Sequence, residues 1–394
     1  MSKIDDRGQG KGEVVAGTIT WEQLRELAGF RAEQGCAVSL YVNLDPREVP
    51  TPKHVQARVN SLLSEAERMF DERKAALTHE QRQGLKGDVR RIAEWFDDGF
   101  ERQGVRGIAV FAASLDNFWS TISLPDPVPD EVKLEAHLYL APLARLASRA
   151  GHTLVGAVSR ERGEVYRLDG GRLVEIADER DDVPGQHDQG GWSQARYERH
   201  IDEIVDRHWR RVAETLDRCV RALRGPRVVL VGAEDMRSDF EELLSKEVKA
   251  ALIGWAAAEA HADAPQILEA VRPVLDRWWS GRETELLDRW REEAARNGRA
   301  ATGWEQTLEA ASDGRVELLL VQDGVEQAAY QCPACGRAQV GNGSCPLDGT
   351  TLESREDGVD VAVHKTLVHG GTVHVFVNRR DLEPVGGVGA LLRF

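Results

Sequence analysis

The segment from His152 to Ala233 restricts the fold more than any other part of this chain. It opens with three short runs, TLVGAVS, EVYRLDG and RLVEIAD, which read as strands joined by turns at Arg162-Gly163 and Gly170-Gly171. An acidic run, Asp178 to Asp182, and Pro184-Gly185 then mark a loop. Beyond it Ile201, Ile204, Val205, His208, Val212, Leu216, Cys219, Val220 and Leu223 recur at the 3.6-residue period of one long helix, with Ser193 as its N-cap and Gly225-Pro226 as its stop. RVVLVGA follows as a buried strand. A meander, a long helix and a buried strand can bury their apolar faces only as layers, so an α/β domain is expected here, ending near Asp263-Ala264-Pro265.

The flanks read as two further α/β regions. Residues 1–13 are polar and glycine-rich, a disordered tail without the apolar stretch of a secretory signal. Ala37 to Leu44 is a strand, broken by Pro46, Pro50 and Pro52. Helices are expected over about 53–77 and 81–98, then an apolar run from Val105 to Ala112 and a strand from Phe118 to Leu124. After 264 the pattern predicts two helices, about 265–280 and 282–297. A short amphipathic helix (GWEQTLEAASDG), a strand (RVELLLVQD), a cysteine-bearing insertion at 331–353 and the runs DVAVH, TVHVFVN and GGVGALLRF complete the chain. The expected domains are therefore 14–150, 151–264 and 265–394. The length of 394 residues agrees with two or three domains, and 41% hydrophobic with 30% charged residues marks a soluble globular chain. The longest nearly apolar run, Ala250 to Ala258, is about half of what a membrane span needs, so a cytoplasmic protein is expected.

Five cysteines include two matched knuckles, Cys332-Pro333-Ala334-Cys335-Gly336 and Cys345-Pro346-Leu347-Asp348-Gly349. In a reducing compartment this spacing favours a metal over a disulfide. Three thiolates with aspartate in the fourth place make Cys332, Cys335, Cys345 and Asp348 a tetrahedral zinc set, and four protein ligands leave no open position, so the zinc is expected to be structural. His364, His369 and His374 are alternative fourth ligands, expected on strands.

The net charge of −15 disfavours non-specific duplex DNA binding and requires any RNA contact to come from a local basic surface. Such a surface is offered by the long helix, which carries eight arginines and six carboxylates between 190 and 225; Arg196, Arg199, His200 and Arg207 are nearest the loop. The alternative is a solvated face with i,i+4 pairs such as Glu203–Arg207. No Walker loop, HExxH or nucleophile elbow is present.

Taken in order, these features resemble the class-one peptide release factor of eukaryotes and archaea and its relative Pelota. The likeness is carried by GGWSQARYERHIDEIVDRHWRRVAETL, by HVQARVNSLL, by GWEQTLEAASDGRVELLLV and by GGVGALLRF, across about 35–394. It implies a mixed α/β first domain, an RNase H-like middle domain and a ribosomal-protein-like α/β sandwich at the end, carrying the zinc-ribbon-like insertion. Two departures bear on function. The family's Gly-Gly-Gln glutamine falls at Trp192, and its stop-codon motif falls near His54-Val55-Gln56-Ala57, so codon-dependent termination is not expected. The chain resembles instead the bacterial branch that includes Balon-type ribosome hibernation factors. That resemblance implies a monomeric factor docking in the ribosomal A site and reaching the peptidyl-transfer region, with Gly190, Gly191, Trp192, Ser193, Gln194, Arg196, Arg199 and His200 against rRNA. Delivery by a translation GTPase, known for relatives, is left open. The alternative is an enzyme: Gly191-Trp192-Ser193-Gln194 has the Gly-x-x-Gln spacing of a related branch that hydrolyses peptidyl-tRNA, with Gln194 as the catalytic residue.

Overall fold

A computed structural model describes residues 19–180 and 194–394, except 74, 76, 99, 101, 103, 104, 150, 170, 224, 260 and 378; for 194–201 it describes the backbone. The chain divides into two compact units, one joining the residues up to Arg149 with Glu293–Phe394, the other Ala150–Glu292.

The first part of the joined unit opens with helix α1 (Trp21–Ala28), whose Thr20 and Gln23 form a reciprocal capping box. Strand β1 (Ala37–Asn43) leads to α2 (Pro52–Arg73) and α3 (His79–Asp97), followed by β2 (Gly107–Ala113), β3 (Phe118–Leu124), β4 (Glu131–Glu135) and α4 (Ala141–Arg149). Pro52 is the first residue of α2, where its missing N–H costs nothing. The sheet is antiparallel in the order β3-β2-β1-β4. Every residue of β1 and β2 is buried because both faces are covered. Val38, Leu40 and Val42 pack on Val59, Leu62 and Ile92 of α2 and α3. Tyr41, Ala109 and Phe111 face the other way, into a core shared with the end of the chain.

The middle unit contains β5 (Thr153–Val158), β6 (Arg162–Asp169), β7 (Arg172–Arg180), α5 (Gln194–Ala222), β8 (Arg227–Gly232), α6 (Arg237–Leu243), α7 (Lys246–Ala251), β9 (Leu252–Ala257) and most of α8 (Ala264–Ala295). Its sheet runs β7-β6-β5-β8-β9, with an antiparallel β5-β6-β7 meander and β8 and β9 parallel to β5. That order and sense are those of an RNase H-like core. Alternation along the strands divides the sheet into two faces. Leu154, Val165 and Leu230 meet Val212, Leu216 and Val220 of α5. Val155, Val229 and Val231 meet Ile267, Val271 and Val274 of α8. The first turn of the meander lies at Ser159-Arg160-Glu161, closed by Ser159 N–H to the Arg162 carbonyl at 2.8 Å, and not at Arg162-Gly163 as the sequence suggested. Gly163 instead lets α5 approach the sheet closely, since a Cβ there would overlap the Val212 methyls.

The two helices expected over 265–297 are one, α8, with Pro273 inside it. The chain then rejoins the first unit through β10 (Ala300–Thr302), α9 (Gly303–Ser312), β11 (Val316–Gln322), β12 (Ala329–Gln331), β13 (Ala338–Gln339), β14 (Glu353–Arg355), α10 (Gly358–Val368), β15 (Thr372–Phe376) and β16 (Val388–Leu392). A four-stranded sheet, β10-β16-β11-β15, packs against α9 and α10, and β13-β12-β14 form a small separate sheet. DVAVH, read as one of the closing runs, is the body of α10. The Asp357 side chain accepts from the Asp360 N–H at 2.9 Å and caps that helix.

Candidate functional sites

The two knuckles repeat one backbone pattern. Cys332 N–H donates to the Arg337 carbonyl at 2.8 Å, and Cys345 N–H to the Thr350 carbonyl at 2.7 Å. Gly336 and Gly349 each donate to the carbonyl of the first residue of their own knuckle at 2.9 Å. Their φ values of +77° and +75° are ones that side chains disfavour, so glycine is required after both knuckles. The turns bring Cys332, Cys335, Cys345 and Asp348 together with all ligand atoms within 4.8 Å of one another, a group that could hold a metal ion. Cys335 and Cys345 sulfurs are 3.5 Å apart, and Cys332 Sγ is 3.5 Å from Asp348 Oδ2. A tetrahedron with metal–sulfur bonds of about 2.3 Å has edges of about 3.8 Å, so the donor set fits a tetrahedral cation. The backbone and hydroxyl of Thr350 hold the Asp348 carboxyl down at about 2, ready as an anionic ligand. The insertion is fixed to α9, where Arg337 bonds Asp313 at 2.7 Å and Glu309 at 3.2 Å, and Ala338 N–H donates to Ser312 Oγ at 3.0 Å. His364, His369 and His374 do not join the cluster among the described residues. His364 lies in α10 rather than on a strand, His369 caps the end of that helix, and His374 is in β15.

Helix α5 forms the second site. At roughly 1.5 Å per residue its 29 residues span about 43 Å, far longer than the strands it covers. Trp209 Nε1 donates to the Ser159 carbonyl at 2.9 Å, which fixes that level of the helix to the β5–β6 turn, the end of the sheet. Toward the N-terminus Val205 is the last buried position among the described side chains; Asp202 and Glu203 are exposed. From Val205 to Gln194 the helix continues for roughly 16 Å. Gln194 is its first residue, with Arg196, Arg199 and His200 in its first two turns. Gly190, Gly191, Trp192 and Ser193 lie outside the described residues. Farther along, the i,i+4 ion pairs formed are Asp206–Arg210 and Asp217–Arg221 at 3.0 Å each, rather than Glu203–Arg207 among the described residues.

The segment aligned with the stop-codon motif, His54 to Ala57, falls in the first two turns of α2. Val55 faces the core, and His54 Nδ1 meets Thr51 Oγ1 at 2.7 Å.

Sequence reasoning missed an open cleft where the two ends of the chain meet, lined by residues that include His137, Tyr139, Asp357, Asp360 and His364. Asp360 Oδ1 accepts from Leu140 N–H at 2.8 Å and Ala141 N–H at 3.0 Å, so a side chain of α10 caps the start of α4, some 220 residues away. Burial pushes the His137 ring down to about 4 and His364 to about 3, leaving both neutral at pH 7. Asp357 three residues before Asp360, ahead of an apolar run, was the available sequence signal for the α10 start; nothing local marked the long-range cap.

The fold and these sites together define a class: a multi-domain α/β chain with an RNase H-like middle unit that carries a long projecting helix, and a cysteine-rich insertion near its end. Within that class, residues 139–274 match the family described as bacterial archaeo-eukaryotic release factor family 10. Peptide chain release factor subunit 1 of Archaeoglobus fulgidus is 23% identical over 332 residues, covering 80% of this chain and 78% of its own. The Methanopyrus kandleri factor of the same name is 25% identical over 224 residues, covering 55% and 54%. Among solved structures, Archaeoglobus fulgidus Pelota aligns over 73% of this chain and 79% of its own, at 16% identity and a TM-score of 0.33. An archaeal aRF1 aligns over 95% and 99%, at 18% identity and a TM-score of 0.27. In sequence the chain is thus similar to archaeal peptide chain release factors over most of its length. No described helix is long and apolar enough to cross a membrane.

Proposed function

We propose that this protein is a cytoplasmic ribosome-binding factor that occupies the A site of idle ribosomes and shields the peptidyl-transfer region. The observation that carries this reading is the overhanging start of α5. The helix is anchored at Trp209 and continues past the end of the sheet to Gln194. In this reading Gly190 and Gly191, just before it in sequence, permit close approach to RNA, and Trp192 stacks on an exposed base, a contact worth ~1–3 kcal/mol. Ser193, Gln194, Arg196, Arg199 and His200 contact rRNA around it. Tryptophan where the release factors carry their glutamine, and His54 to Ala57 spent on the first turns of α2, both favour occupancy over codon-dependent termination. The cysteine-rich insertion holds one structural zinc through Cys332, Cys335, Cys345 and Asp348, and its closed ligand set keeps it out of any reaction.

Sedimentation through a sucrose gradient tests this reading: the protein should travel with vacant ribosomes and lose affinity with added salt. Protein found only at the top of the gradient at low salt overturns it. A second reading rests on Gln194 being the first residue of α5, at the junction of loop and helix. In that reading its amide orients water or stabilises the developing oxyanion of a peptidyl-tRNA ester.

A further inference from the structure

Helix α10 brings one ammonium to the knuckles. A Cβ on residue 336 would lie 2.8 Å from Lys365 Nζ, so the glycine that closes the first knuckle also makes room for this lysine. Lys365 is only partly exposed, and no ion pair to a carboxylate is formed by it among the described residues. Arg337, which follows the first knuckle, is already matched by Glu309 and Asp313. Arg31 adds positive charge near Lys365 instead of offsetting it, and burial weakens the ammonium. Gly336 directly follows Cys335, so the ammonium stands beside the turn that presents this sulfur. A half-buried ammonium without a carboxylate is costly unless another anion faces it.

The metal reading supplies that anion. Three thiolates and a carboxylate carry four negative charges, and a divalent cation cancels two of them. Resting on that reading, we propose that Lys365 is the outer charge partner of the metal centre, offsetting its residual negative charge and so setting its affinity and the reactivity of its thiolates. Lys365 touches no metal in this arrangement. It is a positioning residue that acts through Cys335.

The test uses the full chain as wild type, Lys365→Met, Lys365→Gln, Lys365→Arg and Cys332→Ser, with zinc affinity read by competition against a chromophoric chelator. Lys365→Met and Lys365→Gln should each bind zinc at least tenfold more weakly and lose it faster to a thiol-alkylating reagent, whereas Lys365→Arg should stay near wild type. The cobalt(II) absorption of the Met and Gln variants should keep its thiolate bands, which shows the ligand set intact. In an Asp348→His background the centre carries one negative charge fewer, so the loss on Lys365→Met should shrink; a packing role would leave it unchanged. Unaltered affinity and thiol reactivity in a soluble Met or Gln variant overturn the inference alone. A wild-type chain that takes up neither zinc nor cobalt overturns the metal reading and this inference with it.

Discussion

Asp360 gives the sharpest test of how the two ends of the chain are joined. Burial pushes its carboxyl up to about 8 from an ordinary value of 3.8, and Asp357 adds to the rise; the Leu140 and Ala141 N–H groups oppose it. Because the folded value lies above the unfolded one, the carboxyl favours folding fully at a pH below about 4. That contribution is lost as pH rises through about 8. Between 3.8 and about 8, at ~1.4 kcal/mol per pH unit, the loss is about 6 kcal/mol. Asp360→Asn keeps an oxygen for the two N–H donors and removes the proton that must be held. The variant should match wild type to within ~1 kcal/mol near pH 4.5 and exceed it by several kcal/mol at pH 8, the gap widening by ~1.4 kcal/mol per unit. Asp360→Ala should lie about 1 kcal/mol or more below Asp360→Asn at every pH, as a missing helix cap does. Hydrogen exchange of the 140–149 segment in the full chain, converted to opening free energies, is the assay. Parallel profiles for wild type and Asp360→Asn between pH 5 and 8 would refute the reasoning.

Elemental analysis should find about one zinc per chain, and Cys332→Ser should lower it together with the melting temperature, because metal-binding free energy is also folding free energy. Trp192→Ala should weaken ribosome binding by ~1–3 kcal/mol in a sedimentation titration while Gln194→Ala changes little. Fast release of labelled peptide from stalled ribosomes, slowed at least tenfold (~1.4 kcal/mol) by Gln194→Ala, would make hydrolysis the function instead. Gly163→Ala should destabilise the middle unit by ~1–3 kcal/mol in thermal melts, since a methyl there overlaps Val212 of α5.

Local periodicity was enough for elements that bury one face on a neighbour close in sequence. The meander, α5 and β8 were legible for this reason, and so were β1, β2 and the helices between them. The cluster of three cysteines and an aspartate was legible too, because each knuckle is a five-residue turn whose conformation its own glycine fixes, and the repeat of one pattern suffices to pair them. Where the structure departs from the pattern, distant partners decide. Two helices were expected, about 265–280 and 282–297, yet α8 is continuous, its first half held against β5 and β8. DVAVH alternates like a strand, but Ala362, Val363 and Leu367 belong to the shared core and Asp357 caps the turn, so a helix forms. The union of the first 149 residues with the last hundred leaves no mark in either sequence. It depends on apolar faces of α1, α4, α10 and β15 that cover one another only once the chain has returned. It depends equally on single polar contacts, Asp360 to the start of α4 and Arg355 to Glu135 at 2.7 Å, whose partners are fixed by the path of the backbone and by nothing local to either residue.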